Sequence, residues 1–407
     1  MADATPLAVD SGVMKTYARA PEVFVDGHGA VLRTADGREF LDFLAGIAVS
    51  ALGHGHAELA AALRDQVGRV VHLSNLFRHP YTEEVATRLC RLTDMGAAFF
   101  ANSGAEAVEC ALKLARKAMR ARGEPERTAC VALEGGFHGR TLGALSLTHS
   151  PKYRTPFEPL QRVSWVPPDD ADALAGTLER ERPAALVLEP IQGEGGIREL
   201  SPAFLRRARE LCTATGTLLV HDEIQCGCGR TGRFLAAQHH GVVPDVVTLA
   251  KPVAAGLPMG ACLARPELAD VLEKGDHGTT FGGGPLVCRA ALVFLDAVDR
   301  GLLDDVAARG RELRAGLEAL AAELPVVREV RGRGLMLGLR LWHAAPDAQR
   351  ALHEAGLLVN CTAGDVLRIV PPFVVTAAQI RDGLLRLRRV LSALPPEPPS
   401  TRAGATP

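Results

Sequence analysis

The chain has 407 residues, of which 47% are hydrophobic and 23% charged, with a formal net charge of −1 at pH 7. This length predicts two or three lobes, and the near-neutral charge excludes a basic field that would attract nucleic acid or an anionic membrane surface. The longest apolar runs fall far short of the roughly 20 residues that span a bilayer. The 9 cysteines are scattered without scaffold spacing and the first residues lack a signal-peptide pattern, so we expect reduced thiols and a cytoplasmic protein.

The N-terminal region is predicted to contain an arm followed by antiparallel strands. In the stretch VFVDGHGAVLRTADGREFLDF, short β-rich runs alternate with Asp-Gly turns, a pattern that is typical of a meander. Apolar residues at helical spacing then predict helices over residues 57–71 and 82–92. We expect residues 1–56 to form an arm, at residues 1–22, and a meander that packs with a smaller C-terminal domain.

From residue 95 to residue 263 the pattern changes to strands that alternate with helices. Short apolar runs occur at residues 97–100, 129–133, 185–188, 218–220, 246–249 and 260–263. Helical patterns, such as residues 106–120 and 202–213, lie between most of them. This alternation predicts a mostly parallel sheet with helices on both faces. We therefore expect an α/β fold whose large domain covers residues 57–300.

After residue 301 the pattern indicates a smaller α+β domain that ends near residue 395. A predicted helix around residues 303–320 precedes two strand-rich stretches, VVREVRGRGLMLGLRL and LLVNCTAGDVLRIVPP. An amphipathic helix is predicted to follow from Thr376. The proline-rich tail, residues 396–407, is predicted to be disordered.

Two of the predicted strands are followed by ionisable residues, Asp222 and Lys251. In open α/β sheets, reactive groups collect beyond the carboxyl ends of the strands. An acid and an amine at that edge suit pyridoxal phosphate, which needs an acidic partner for its ring nitrogen and a lysine anchor. Burial would lower the pKa of Lys251 and make its amine nucleophilic. Taken singly, a turn-capping aspartate and a solvated lysine are the simpler interpretations of these residues.

Further motifs could complete such a site. The sequence SGAE at residues 103–106 predicts a capped helix start, whose free N–H groups suit a phosphate. The motif GGFHGRT offers Phe137 to stack on an aromatic ring and Arg140 to bind a carboxylate through a bidentate fork. A glycine-rich turn exposes Glu194. An ordinary helix cap, a surface loop and a solvated glutamate are the simpler interpretations of each motif alone.

Two other patterns in the segment HDEIQCGCGRTG do not carry a function. Its glycines satisfy the GxGxxG expression, but no acidic residue follows in the context of a dinucleotide fold, so we do not expect NAD binding. Its C-x-C spacing, even with the nearby histidine pair, is not that of a tetrahedral zinc site. No metal is expected.

Six motifs occur in order along the chain: SGAEAVECALKLAR, GFHGRT, EPIQGEGG, HDEIQCGCGRTG, TLAKP and HGTTFGG. Together they resemble the class III aminotransferases, pyridoxal-phosphate enzymes of fold type I, over about residues 17–394. The segments VMKTYARAPEVFV, DGREFLDFLAGIAV, LGHGH and HLSNLF are most similar to members of this class that act on N-acetylornithine. The resemblance implies a large domain with a mostly parallel central sheet flanked by helices, and a smaller α+β domain. HGTTFGGGP departs from the pattern, with Gly284 where asparagine is expected.

The resemblance also implies roles for cofactor-binding residues. Lys251 would bond covalently to pyridoxal phosphate and then act as the general acid and base. The other positions that match the cofactor site are Ser103, Gly104, Ala105, Phe137, Asp222, Gln225 and Thr280. Thr280 would complete the phosphate site from the neighbouring subunit, so the resemblance implies a homodimer with an active site shared across its interface.

Three residues would bind substrates. Arg140 would hold the carboxylate remote from the reacting amine, and Arg368 the α-carboxylate of glutamate or 2-oxoglutarate. Glu194 would cover Arg368 while an ω-amino substrate is bound. One site would thus accept two different substrates in turn.

The implied reaction is transamination between N-acetylornithine and 2-oxoglutarate, which gives N-acetylglutamate semialdehyde and glutamate and belongs, in reverse, to arginine biosynthesis. Ornithine, succinylornithine, 4-aminobutyrate and N-succinyl-diaminopimelate are alternative donors. A mutase, racemase or decarboxylase on the same fold is a second hypothesis, against which the joint presence of Glu194 and Arg368 argues. A non-catalytic sensing module is the third, and the presence of Lys251 and Asp222 argues against it.

Overall fold

The computed structural model of the protein describes residues 12–396. The first 11 residues of the predicted arm and residues 397–407 of the predicted tail lie outside this part of the chain. Across residues 12–396, none of the helices has the length and apolar character that a membrane crossing requires.

A seven-stranded sheet lies at the centre of the fold. Its strands, in spatial order, are Ala97–Ala101, Gly260–Ala264, Val246–Leu249, Leu218–Asp222, Ala185–Leu188, Cys130–Leu133 and Val163–Val166. Gly260–Ala264 runs antiparallel to both of its neighbours, and the other pairs are parallel. The predicted α/β fold with a mostly parallel sheet is confirmed.

Helices cover both faces of this sheet because its strands are buried on both sides. All five residues of Leu218–Asp222 are buried, and successive residues contribute to different clusters. Val220 packs in the cluster that includes the helix Gly104–Ala121, whereas Leu219 packs in the cluster that includes Pro202–Thr215. A strand without a polar face needs cover on both sides, which explains its uninterrupted apolar sequence.

The remaining α-helices are distributed along the whole described chain. They are Ala45–Ala48, Ala57–Val67, Thr82–Thr93, Leu142–Ser146, Pro151–Arg154, Ala171–Glu181, Pro285–Asp299, Leu302–Glu323, Ala345–Glu354 and Ala377–Leu391. Short 3-10 turns occur at Thr155–Phe157, Ala236–His239, Lys251–Ala254 and Pro266–Leu268.

Three smaller sheets accompany the central one. The first contains the N-terminal meander Phe24–His28, Val31–Thr34 and Glu39–Asp42, which continues into Leu357–Leu358 from the far end of the chain. The second is antiparallel, with the order Val327–Arg333, Met336–Leu341, Val366–Ile369 and Asn360–Thr362. The third pairs Ile191–Gln192 with Arg198–Glu199. The division of the chain into domains near residues 56 and 300 stays a prediction.

The sequence did not predict the edge strand Val163–Val166. Three of its four residues are only partly buried, so it has neither the continuous apolar run of a central strand nor a clear alternation. The C-terminal helix begins one residue after Thr376, whose side chain caps it by accepting a hydrogen bond from the Gln379 amide at 3.2 Å.

Candidate active site

Asp222 and Lys251 meet at the carboxyl edge of the central sheet. Asp222 is the last residue of its strand and is aligned with Thr248 of the neighbouring parallel strand, three residues before Lys251. Both side chains line a cavity of about 360 Å³. The other predicted cofactor residues that line it are Ser103, Gly104, Ala105, Phe137 and Gln225. The fold therefore brings together residues that lie up to 148 positions apart, from Ser103 to Lys251.

A hydrogen-bond network holds the buried Asp222 carboxylate. His138 Nδ1 lies 2.7 Å from one oxygen, while the Thr248 hydroxyl and the Ile224 amide donate to the other at 3.2 and 3.1 Å. Burial alone would lower the pKa of His138, but its hydrogen bond to Asp222 and attraction to that carboxylate outweigh burial and raise it. Both Asp222 oxygens therefore have hydrogen-bond partners within an apolar surrounding, as a buried carboxylate requires.

Sequence reasoning missed His138 as a functional residue. It lies within GFHGRT beside Phe137, so its position was visible, but its contact with a carboxylate 84 residues away was not. A buried histidine paired with a buried carboxylate at a cavity is a functional-site signal only once the fold is known.

Lys251 has an unusual backbone conformation and a free amine. Its φ is 50°, in the left-handed region that non-glycine residues seldom adopt, at the start of a 3-10 turn. Within residues 12–396 its Nζ makes no hydrogen bond or ion pair within the usual distances. Burial lowers the pKa of Lys251, although the nearby Asp222 carboxylate opposes this effect. An amine with a lowered pKa at a cavity wall is suited to nucleophilic and acid–base chemistry.

The helix Gly104–Ala121 begins at the cavity. The Ser103 hydroxyl accepts a hydrogen bond from the Glu106 amide at 3.3 Å, and the Glu106 carboxylate accepts one from the Asn102 amide at 2.8 Å. The predicted capping box thus forms with one difference, since glutamate reaches the residue before the cap. The first N–H groups of the helix have no partner inside it and can bind an anion at the positive end of its dipole.

Glycine at position 260 lets the neighbouring strand approach this helix start. A Cβ atom at Gly260 would lie 2.1 Å from the Ser103 carbonyl oxygen, a distance that real Cβ atoms do not tolerate. The geometry of the anion site at Ser103 therefore depends on a glycine in the strand that packs beneath it.

Arg368 and Glu194 form an ion pair, as the resemblance implied. Arg368 is fully buried, and its Nη1 donates to the Glu194 carboxylate and, at 3.0 Å, to the Gln225 side-chain oxygen. Its Nε donates to the Asn360 side-chain oxygen at 2.9 Å. Glu194 keeps 34% of its side chain exposed, whereas the Arg368 side chain is 1% exposed. The structure shows the arginine in its covered state.

Glu189 is a second buried carboxylate that sequence reasoning missed. It accepts hydrogen bonds from the Phe137 and Gly193 amides, each at 3.0 Å. Burial raises the pKa of Glu189 to about 7. One side chain thereby connects the segment that carries Phe137 with the turn that carries Glu194.

Four predicted residues do not line the Lys251 cavity: the paired Glu194 and Arg368, and also Arg140 and Thr280. Arg140 is exposed, and its guanidinium lies over the Tyr153 ring. Thr280 is also exposed, on the loop before Pro285–Asp299, and its own chain does not bring it to the anion site. A contribution of Thr280 from a second chain stays a prediction.

The cavity residues fit pyridoxal phosphate. An unpaired lysine amine, a buried carboxylate, an aromatic ring at Phe137 and a helix start are the groups that its aldehyde, ring nitrogen, ring face and phosphate require. The Asp222 carboxylate is already oriented by three partners, so its position does not depend on the cofactor.

The chain is similar to aminotransferases over most of its length. The profile of the family described as "Aminotransferase class-III" matches residues 14–391. The acetylornithine aminotransferase of Aquifex aeolicus is 44% identical over 381 residues, which cover 93% of this chain and 99% of the relative. The acetylornithine aminotransferase of Methanosarcina mazei is 45% identical over 371 residues, covering 90% and 91%.

Solved structures agree with these relatives. The ornithine aminotransferase of Toxoplasma gondii superposes with a TM-score of 0.90 at 35% identity, and the match covers 94% of this chain and 93% of that one. The N-acetylornithine aminotransferase of Stenotrophomonas maltophilia superposes with a TM-score of 0.81 at 36% identity, covering 93% and 97%.

Proposed function

Since the chain belongs to the class-III aminotransferase family and is therefore a pyridoxal-phosphate enzyme, we propose that it moves the terminal amino group of N2-acetyl-L-ornithine to 2-oxoglutarate. The products are N-acetyl-L-glutamate 5-semialdehyde and L-glutamate, and the reverse direction serves arginine biosynthesis. The observation that carries this proposal is the Glu194–Arg368 pair beside the Lys251 cavity. A site that must accept two substrates in turn needs a cation that can be covered and uncovered.

In this proposal each residue around the cavity has one task. When bound, pyridoxal phosphate accepts electrons from the substrate carbon and carries the amino group between the two half-reactions. Lys251 would anchor it covalently and, once displaced by the substrate amine, take the proton from the amine-bearing carbon at Nζ. Asp222, oriented by its hydrogen bond with His138, would hold the ring nitrogen. Phe137 would stack on the ring.

The phosphate and the ring oxygen would be held by the remaining lining residues. Ser103, Gly104 and Ala105 would bind the phosphate through the helix start, and Gln225 would lie close to the ring and its phenolic oxygen. Gln225 also accepts a hydrogen bond from Arg368, so it contacts both the cofactor region and the substrate region.

Substrate choice would depend on the two arginines. Arg140 would bind the α-carboxylate of acetylornithine, which is remote from the reacting amine, while Glu194 neutralises Arg368. For glutamate, the exposed Glu194 side chain would leave Arg368, which then binds the α-carboxylate and presents the α-amine to Lys251.

We also propose a cytoplasmic homodimer. Thr280 lies next to Phe281, which is 64% exposed, and Leu76 and Phe77 are 88% and 66% exposed. These large exposed apolar side chains lie beside the exposed Thr280. Such a surface favours a second copy of this chain as its cover. All 9 cysteines are free thiols, as expected in a reducing compartment.

A panel of donors tests the substrate assignment. Purified enzyme is assayed with 2-oxoglutarate and N-acetylornithine, ornithine, succinylornithine, 4-aminobutyrate or N-succinyl-diaminopimelate, and kcat/KM is compared. We expect N-acetylornithine to rank first and the variant Lys251→Ala to show no turnover. A preference for free ornithine would overturn the substrate assignment, and amino transfer by Lys251→Ala would overturn the proposed role of Lys251.

A further inference from the structure

The Arg140 guanidinium is held by an aromatic ring and not by a carboxylate. Its Cζ lies 3.7 Å from the centre of the Tyr153 ring and 5.6 Å from that of Phe137. In the part of the chain that the structure describes, its nitrogens make no ion pair within 4.0 Å and no hydrogen bond. A guanidinium stacked on a ring keeps its N–H donors in its own plane, free for a ligand. The stack orients Arg140 without occupying its donors.

This arrangement differs from that of the other substrate arginine. Arg368 is oriented by hydrogen bonds to Asn360 and Gln225 and is neutralised by Glu194. A competing anion must leave before Arg368 can bind a substrate, whereas nothing has to leave Arg140. The structure therefore provides one switched and one permanently open carboxylate receptor.

Tyr153 is itself well placed at the substrate side of the site. It belongs to the short helix Pro151–Arg154, and its ring meets Phe137 edge to face, with centroids 6.4 Å apart and planes at 85°. Tyr153, Phe137 and Glu194 all line a cavity of about 470 Å³ that adjoins the Lys251 cavity through Phe137. The Tyr153 ring thus contacts both Phe137, the proposed cofactor platform, and Arg140, the arginine that would receive the donor.

We infer that Tyr153 is a positioning residue for donor specificity: its ring face aims the Arg140 fork at the remote carboxylate of the ω-amino donor. This inference rests on the proposed function, because it takes the carboxylate site at Arg140 from there. Tyr153 contacts Arg140 and would touch no reacting atom, so its effect is confined to binding of the remote carboxylate. The ring face, and not the hydroxyl, provides this effect, since the short contact to Arg140 is with the ring.

The test compares the two half-reactions in Tyr153→Leu and Tyr153→Phe holoenzymes. For Tyr153→Leu we expect the KM for N-acetylornithine to rise about tenfold with kcat little changed. Without the ring, the guanidinium is not held in one orientation, so its binding of a carboxylate is less favourable. The KM for glutamate should rise as well, because the γ-carboxylate of glutamate is also remote from its reacting amine and would bind Arg140. Tyr153→Phe should behave as wild type.

Two controls separate this role from a general packing role. N-acetylputrescine is N-acetylornithine without the carboxylate, so its turnover should not change between wild type and Tyr153→Leu. Trp342→Leu removes a comparable stack, that of Arg328 at 4.7 Å, from the C-terminal sheet region, and both half-reactions should remain at wild-type rates.

The inference is overturned if Tyr153→Leu lowers kcat without raising the KM for N-acetylornithine, if it slows N-acetylputrescine as much as N-acetylornithine, or if Tyr153→Phe does not restore the KM. The variant Arg140→Gln separates the two proposals. If it raises the KM for N-acetylornithine while Tyr153→Leu does not, only the inference fails. If Arg140→Gln leaves this KM unchanged, the proposed carboxylate site itself is wrong.

Discussion

At the scale of single residues, the site combines groups that are fixed with one group that is free to move. Asp222 has three hydrogen-bond partners and Arg368 is fully buried, whereas the Glu194 side chain is 34% exposed. Exposure lowers the free energy needed to break the ion pair from the glutamate side, because water can solvate the released carboxylate. In the proposed function, the alternation between substrates is therefore a movement of Glu194.

The first prediction concerns the charge of that side chain. Glu194→Gln keeps the shape but removes the anion, so Arg368 should become open to α-carboxylates. We expect the KM for glutamate in its half-reaction to fall and the kcat/KM for N-acetylornithine to fall by about tenfold, since a charge-assisted bond is lost. Half-reaction kinetics followed through the cofactor absorbance measure both values.

The exposed Glu267 offers a matched control, and Glu267→Gln should leave both half-reactions unchanged. Equal loss of activity toward both substrates in Glu194→Gln would contradict a covering role. It would indicate that Glu194 supports the fold of its turn, where Thr362 also donates a hydrogen bond to the Gly193 carbonyl at 3.3 Å.

Residue types and spacing predicted the groups that carry chemistry but not those that hold them. Asp222 and Lys251 follow apolar runs, which is a local signal. His138 and Glu189 act through partners that are distant in sequence, and their importance arises from burial, which a single sequence does not show. The motifs that contain His138 and Glu189 are visible in the sequence, but their hydrogen-bond partners are not.

At the scale of elements, the strand Leu218–Asp222 shows how a buried element accommodates a polar residue. His221 is fully buried within it, and among the described residues neither ring nitrogen has a hydrogen-bond partner. Burial, together with the positive charge of Arg209, lowers the pKa of His221 to about 3. The residue is therefore a neutral ring in the folded protein and a titrating base in the unfolded chain.

The second prediction follows from the sign of this shift. The unfolded chain binds a proton near pH 6.5 and the folded protein near pH 3, so stability is full above pH 6.5 and is lost as the pH falls through this window. Between pH 7 and pH 5, His221 should account for about 2 kcal/mol of lost unfolding free energy. His221→Leu should therefore lose about 2 kcal/mol less than wild type over this interval.

Urea unfolding at both pH values measures this difference. The exposed His28 provides the control, since His28→Leu should lose stability on acidification as wild type does. If His221→Leu and wild type lose the same free energy between pH 7 and pH 5, the ring has a partner in solution that keeps its pKa near the ordinary value.

Strands with a continuous apolar sequence were predictable, whereas the edge strand Val163–Val166, with its mixed sequence, was not. The six apolar runs coincide with strands of the central sheet, and five of these strands are buried along their whole length. The sixth, Ala97–Ala101, lies at a sheet edge and is buried only at its last two residues, but its sequence AAFFA is apolar throughout. Val163–Val166 lies at the sheet edge with one face partly in solvent, so its short sequence VSWV carried no decisive pattern. The antiparallel direction of Gly260–Ala264 also had no local signal, since strand direction depends on the preceding connection.

At the scale of the whole molecule, the cofactor site of one chain is proposed to depend on a second. Lys251 lines the cavity of its own chain, whereas Thr280 lies on the surface. If each site takes its lysine from one chain and its threonine from the other, two defective chains can share one complete site.

The third prediction uses this complementation. Lys251→Ala and Thr280→Ala chains are produced together with different tags, and the hybrid dimer is purified. One of its two sites then combines Lys251 with a wild-type Thr280, so we expect about half of the wild-type activity, well above that of either parent dimer. Activity no higher than the Thr280→Ala parent would show that Thr280 does not cross between chains.

The overall architecture was predictable because strand–helix alternation has few solutions, whereas contacts between distant parts of the chain were not. The pairing of Leu41 with Leu357 joins the N-terminal meander to the far end of the chain. No residue of either segment specifies the other, and only the packing of the complete chain brings them together.

The two carboxylate receptors also belong to different parts of the architecture. Arg140 is supported by a ring on the short helix Pro151–Arg154, and Arg368 by the antiparallel C-terminal sheet. Mutations that change one support need not disturb the other. Evolution or protein engineering can therefore alter the support of Arg140 at Tyr153 while the Glu194–Arg368 pair is kept, so that binding of the remote carboxylate is tuned separately from binding of the carboxylate at Arg368.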